Sequence, residues 1–213
     1  MRFIALSVIA LLCAQYAIAG DTPSQIGIYY SFEQSPPAAV FSQFQAEFQL
    51  ILAPIGLPVQ WREISGAKSE EFRDIFVIRF HGSCSLKGEP DEDRGLNPDE
   101  RSLAETQVSN GQVLPFADVK CDSLRRYLGF APLATTAGGD VFGRALARVA
   151  AHELYHMMTA SRVHHRIGIA RAEYSRGNLT APRLVFGVKE SQWLRSWAAA
   201  TNLAKVSPIT FRR

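Results

Sequence analysis

Cysteine is scarce in this sequence, with three residues in 213. No two of them form a C-x-x-C pair, which argues against a thiolate metal site or a dithiol redox motif. No stretch beyond Gly20 is long and apolar enough to span a bilayer, so no membrane segment is expected. Internal repeats and low-complexity tracts are missing too, which sets aside solenoid and linker architectures. Methionine is rare, and none follows Met158. Charge of one sign is also lacking. The net value is +3, and no nucleic-acid motif accompanies the arginines, so nucleic-acid binding is not expected.

What charge there is falls unevenly. Asp21 to Gly139 carries 10 basic and 16 acidic residues, and Asp140 to Arg213 carries 12 basic and 4 acidic. Two halves of opposite sign attract each other within one fold, and a basic rim around a cleft is a further possibility. At the start, Arg2, the apolar run Phe3 to Ala14 and then Ala17-Ile18-Ala19 have the three parts of a secretory signal peptide. Residues 1–20 are therefore read as a leader cleaved near Ala19-Gly20, and 21–213 as a single exported domain. Leu12 stands before Cys13 where a lipoprotein signal needs a small residue. With Cys13 removed, Cys84 and Cys121 form an even pair, and an oxidising compartment favours a disulfide between them. No pro-segment is visible between the leader and the first strand.

Gln25 to Phe32, rich in β-branched and aromatic residues, reads as a strand. Ser35-Pro36 then offers a helix cap and first-turn proline, and Val40, Phe41, Phe44, Phe48, Ile51 and Leu52 recur at helical spacing until Pro54 and Gly56. Leu57–Ile64 and Asp74–Cys84 read as strands, the second so apolar that burial on both faces is expected. Lys87–Glu100 is a polar loop. Its Asp91, Glu92 and Asp93 lack the spacing of a helix-flanked calcium loop, and a solvated loop is the simpler reading. Asn110-Gly111 marks a hairpin. Pro115 in the hairpin's second strand cannot donate to a ladder and places that strand at a sheet edge, where an extended peptide could dock. Asp140 is a candidate N-cap for a helix through Met158, and Lys189–Ala204 is helix-like.

Four of the five histidines gather in "RVAAHELYHMMTASRVHH", Arg148 to His165. His152 and His156, four apart on a helix, present their imidazoles on one face, one turn from each other. Glu153 beside them can reach a water held by a metal that the two imidazoles ligate. This is the H-E-x-x-H pattern, in which nitrogen ligands keep zinc Lewis-acidic and a carboxylate takes the water's proton. A shuffled chain of this composition would carry the pattern about 0.6% of the time, and it falls here on an independently expected helix. His81 reads as a local hydrogen-bonding residue.

HELYH on such a helix resembles the zincin superfamily of zinc metallopeptidases, closely over the motif and loosely over 25–165. The resemblance implies an α+β fold, a twisted mixed sheet with the active-site helix beneath it and an edge strand that aligns substrate. It makes His152 and His156 zinc ligands and Glu153 the general base. It also departs from the metzincin pattern, whose glycine and third histidine would fall at Thr159 and Arg162, and the methionine turn is absent. The chain is thus similar to a divergent metzincin-like enzyme. His164 is the favoured third ligand, His165 the next choice, and a glutamate, Glu173 or Glu190, the remaining one. Gly168 offers a turn, and Tyr174 is a candidate donor to the oxyanion. The function expected is that of a secreted, zinc-dependent endopeptidase acting as a monomer on a peptide or protein substrate. The alternatives are an exported zinc-binding interaction module without turnover and a metal-free domain in which HELYH only packs.

Overall fold

The structure, a computed structural model, describes residues 26–67, 70–86, 102–129 and 137–203. The expected leader and the acidic residues Asp91, Glu92 and Asp93 lie outside the described residues. Five strands form one sheet: β1 (Ile26–Gln34), β2 (Val59–Glu63), β3 (Asp74–Ser83), β4 (Ala104–Ser109) and β5 (Gln112–Lys120). Their spatial order is β2-β1-β3-β5-β4. All pairings are parallel except the β4–β5 hairpin, so the sheet is mixed. The helices are α1 (Ala38–Leu52), α2 (Cys121–Leu128), α3 (Gly138–Thr159), α4 (Arg176–Thr180) and α5 (Val188–Leu203).

The core is laid down by alternation in the strands and helical spacing in α1. Ile26 and Ile28 of β1, Phe76, Ile78 and Phe80 of β3, and Ala117 and Val119 of β5 are buried on one face. Val40, Phe44, Phe48, Ile51 and Leu52 of α1 join them in one cluster with Phe142, Leu146 and Leu154 of α3. Removing these side chains from water is the main favourable term for the fold, about 1.5–3 kcal/mol for each large apolar residue. α1 and α3 approach closely at Gly143, where a Cβ would stand 2.5 Å from the Val40 carbonyl oxygen. A glycine is required there because backbone, not a side chain, fills the space.

Four expectations need correction. β3 is central in the sheet, but it is covered on one face only: Ile75 is 46% exposed and Arg79 and His81 alternate with the buried set. That second face is polar, with Arg79 and His81 both bonded to Asp118 at 2.9 and 2.6 Å. The edge strand is β4, not the proline-bearing β5. Pro115 is tolerated inside the sheet because β5 starts pairing with β3 only at Phe116, and the ladder to β4 is irregular between Thr106 and Val108. Asp140 is not the cap of α3, which begins earlier, after Ala137; Asp140 lies in its first turn, favourable to the helix dipole. Ser35 likewise does not cap α1, whose boundary residue is Pro37. The hairpin turn is as expected, since Asn110 and Gly111 both have positive φ, at 50° and 79°.

Two long-range ties hold the helices. The sulfurs of Cys84 and Cys121 are at disulfide distance, their Cα atoms 5.0 Å apart and both residues fully buried. They join the end of β3 to the first residue of α2. Arg148 of α3, also fully buried, pairs with Glu47 of α1 at 2.7 Å and donates to the carbonyls of Asn178 and Leu179 in α4 at 2.8 and 3.0 Å. Burial pulls the guanidinium's pKa down, and the Glu47 carboxylate opposes that shift.

Candidate metal centre

α3 is buried along almost its whole length, so its polar residues at 152, 153 and 156 are held inside the protein at the floor of a cleft. The cleft has a volume of about 1130 Å³ and runs between α3 and the edge strand β4. The helix ends at Ala160, which adopts the left-handed conformation with φ 46° although it is not a glycine. An alanine there costs about 1 kcal/mol relative to a right-handed conformation. The turn is closed by the Ser161 N–H donating to the His156 carbonyl at 3.2 Å. From this turn the chain comes back over the helix and delivers His164.

His152, His156 and His164 each offer one ring nitrogen, and these atoms lie within 4.8 Å of one another. The Nδ1 of His152 is 2.8 Å from the Ile169 carbonyl oxygen and that of His156 is 2.7 Å from the Ser161 carbonyl oxygen. A carbonyl can only accept, so both Nδ1 atoms carry the proton and both Nε2 atoms are bare lone pairs. Yet the Nε2 of His156 lies 3.0 Å from that of His152 and 3.1 Å from that of His164. Two bare lone pairs at 3.0 Å repel, and a shared cation resolves the repulsion. Three nitrogens each about 2.05 Å from one tetrahedral ion would stand about 3.3 Å apart, close to the separations found. The donor set therefore fits a metal ion of zinc's preferences.

Electrostatics favours the ligating form. Burial pulls the His152 imidazole down to about 4, only partly opposed by its bond to Ile169. Burial lowers His156 as well, and His164, where its neighbours His165 and Arg162 add to the effect. All three are neutral near neutral pH, as a metal ligand must be. Glu153, 5% exposed, has its carboxyl pushed up to about 7 by burial, with Thr106 opposing and Glu105 reinforcing the rise. The Thr106 hydroxyl on β4 donates to Glu153 Oε2 at 2.6 Å.

The other candidates are placed elsewhere. His165 is turned away from the histidine cluster: its Nε2 is 2.9 Å from the Tyr155 hydroxyl and its Nδ1 is 2.9 Å from Glu190 Oε1. Glu190 is thereby engaged outside the cleft, while Glu173 lines the cleft without joining the three converging nitrogens. Tyr174 also lines the cleft, but its hydroxyl donates to the Ile169 carbonyl, the oxygen that also receives His152 Nδ1–H. Here it braces a histidine rather than pointing a donor into the cleft. Gly168, with φ 74°, makes the turn between His164 and Ile169, and a Cβ on it would stand 2.7 Å from the Val185 carbonyl oxygen. His81 bonds Asp118 on the far face of the sheet. Sequence reasoning missed Thr106, Tyr155 and the part played by Glu190.

The architecture is that of a zincin-like α+β fold, a mixed sheet over a helix that carries H-E-x-x-H. Among solved structures the chain is similar to archaemetzincin from Methanopyrus kandleri, with a TM-score of 0.51 over 83% of this chain and 97% of that one. Sequence identity between the two is 12%, so the likeness is one of fold. No family model and no curated protein matches the sequence.

Proposed function

We propose that the chain is an exported zinc-dependent endopeptidase, a single domain over 21–213 that hydrolyses peptide bonds in the cleft between α3 and β4. The observation that carries the reading is the convergence of three imidazole nitrogens beside one buried carboxylate. His152, His156 and His164 would hold the zinc, which would supply a lowered water pKa and a Lewis acid for the substrate carbonyl. Glu153 takes the proton of the attacking water on its carboxylate and returns it to the leaving amine. Its burial and the bond from Thr106 hold the carboxylate in one place for both steps. β4, an edge strand with one side unpaired among the described residues, would bind the extended substrate by main-chain hydrogen bonds. The disulfide-distance cysteine pair favours an oxidising compartment, and no described helix is long and apolar enough to cross a membrane.

Elemental analysis of the mature protein beside His152→Ala and His164→Ala tests the metal. About one zinc per wild-type chain is expected, lost or much weakened in both variants. Failure of the wild type to take up zinc would sink the reading, and stoichiometric zinc with no cleavage of a broad peptide library would favour a binding module without turnover.

Thr106 supplies a smaller, separate expectation. Its hydroxyl fixes the orientation of the Glu153 carboxylate, and a hydrogen bond to a charged group contributes about 1.5–3 kcal/mol. Thr106→Val should lower kcat about tenfold or more with KM little changed, and Thr106→Ser should restore the rate. Steady-state kinetics on one cleaved peptide decides it, and equal kcat in the valine variant would remove Thr106 from the mechanism.

A further inference from the structure

We propose that Glu190 and Tyr155 are positioning residues for the third histidine, acting through His165, so that helix α5 belongs to the metal-binding apparatus. The inference rests on the zinc reading above.

The segment that carries His164 has little burial of its own. Val163 is 62% exposed and Ile167 67%, so apolar packing does not hold it against the helix. What anchors it is His165. Both ring nitrogens of His165 are engaged, Nδ1 with Glu190 Oε1 and Nε2 with the Tyr155 hydroxyl, each at 2.9 Å. Two partners at opposite corners of the ring prevent it from rotating. Its backbone N–H also donates to the Ala170 carbonyl at 2.7 Å. The two side-chain partners come from helices, Tyr155 from near the C-terminal end of α3, where it is buried, and Glu190 from the first turn of α5. Glu190 is itself buried, and Gly187 leaves room for its carboxylate, since a Cβ there would lie 2.3 Å from Glu190 Oε2.

Adjacent residues of extended backbone project to opposite sides, and His165 sits in an isolated parallel bridge with Arg171 while His164 Nε2 lies 3.1 Å from His156 Nε2. With His165 fixed toward Tyr155 and Glu190, His164 is directed at His152 and His156. The anchor therefore decides which of two neighbouring histidines faces the metal. Outer partners of this kind hold a ligand in place, and their loss typically weakens metal affinity about 10–100-fold.

The test is zinc affinity, measured on the full mature chain by competition with a chromophoric chelator, with cobalt(II) absorption as the report on coordination. Glu190→Leu removes the acceptor at His165 Nδ1. Its zinc affinity should fall about 10–100-fold, and its cobalt spectrum should move toward that of His164→Ala. Glu190→Gln keeps an acceptor at the same place and should stay close to wild type, a rescue that a general packing role would not require. If Glu190→Leu does not fold by circular dichroism, the double variant Tyr155→Phe with Glu190→Gln carries the test, with about tenfold weaker binding expected. Wild-type affinity and spectrum in the folded Glu190→Leu protein, or in the double variant, would overturn the inference while leaving the zinc site standing. A wild type that binds no zinc would overturn both.

Discussion

Glu153→Gln should retain its zinc and lose peptide hydrolysis by about 10²–10⁴-fold, the range that a positioned general base contributes. Glutamine has the shape of glutamate and keeps an oxygen that can accept from the Thr106 hydroxyl, so the local geometry is preserved. What it lacks is a carboxylate able to take a proton. The histidines are untouched, because the nearest fixed points of His152 and His156 are the carbonyls of Ile169 and Ser161 rather than Glu153. Zinc content and kcat/KM measured on the same preparation separate the two effects. A variant that keeps both zinc and activity would show that some other group handles the proton.

The second large effect is on stability. Arg148→Met should destabilise the metal-free protein by about 3–5 kcal/mol, the usual cost of breaking a buried pair from one side. The methionine would fill part of the space, but the Glu47 carboxylate would stay buried without its cation, and the Asn178 and Leu179 carbonyls would lose their donor. Adding Glu47→Leu should recover part of the loss, because the stranded charge disappears while the two carbonyls remain unsatisfied. Urea unfolding of the single and double variants gives both numbers. A loss below about 1 kcal/mol in Arg148→Met would place the ion pair among those that contribute little.

Local pattern was readable in the sequence wherever neighbours along the chain share one surface. His152, Glu153 and His156 fall within one turn and a half of helix, and the apolar residues of α1 and the Asn110-Gly111 turn follow from short-range rules. The rank of the strands was not readable in the same way. Pro115 pointed to an edge, but the ladder irregularity that lets β5 lie inside the sheet depends on β4, its hairpin partner. Nor could spacing choose between His164 and His165, since that choice is made by Tyr155, ten residues earlier, and Glu190, on a later helix. Thr106 lies 47 residues from Glu153 and meets it only because β4 runs beside α3. The helix starts were misplaced because α1 and α3 begin without side-chain caps, the signal on which the expected boundaries relied.

The left-handed alanine at 160 bears on how such a cluster of histidines is recognised in a sequence. A reverse turn after the second histidine is usually looked for as a letter, the residue with no side chain. Here a methyl-bearing residue makes the turn at an affordable strain, and the returning histidine arrives two places later than the spelling requires. Ala160→Gly should therefore relieve the chain rather than repair it. What the fold supplies is the convergence of three ring nitrogens in space, an arrangement that a triangle of atoms describes and a string of letters does not.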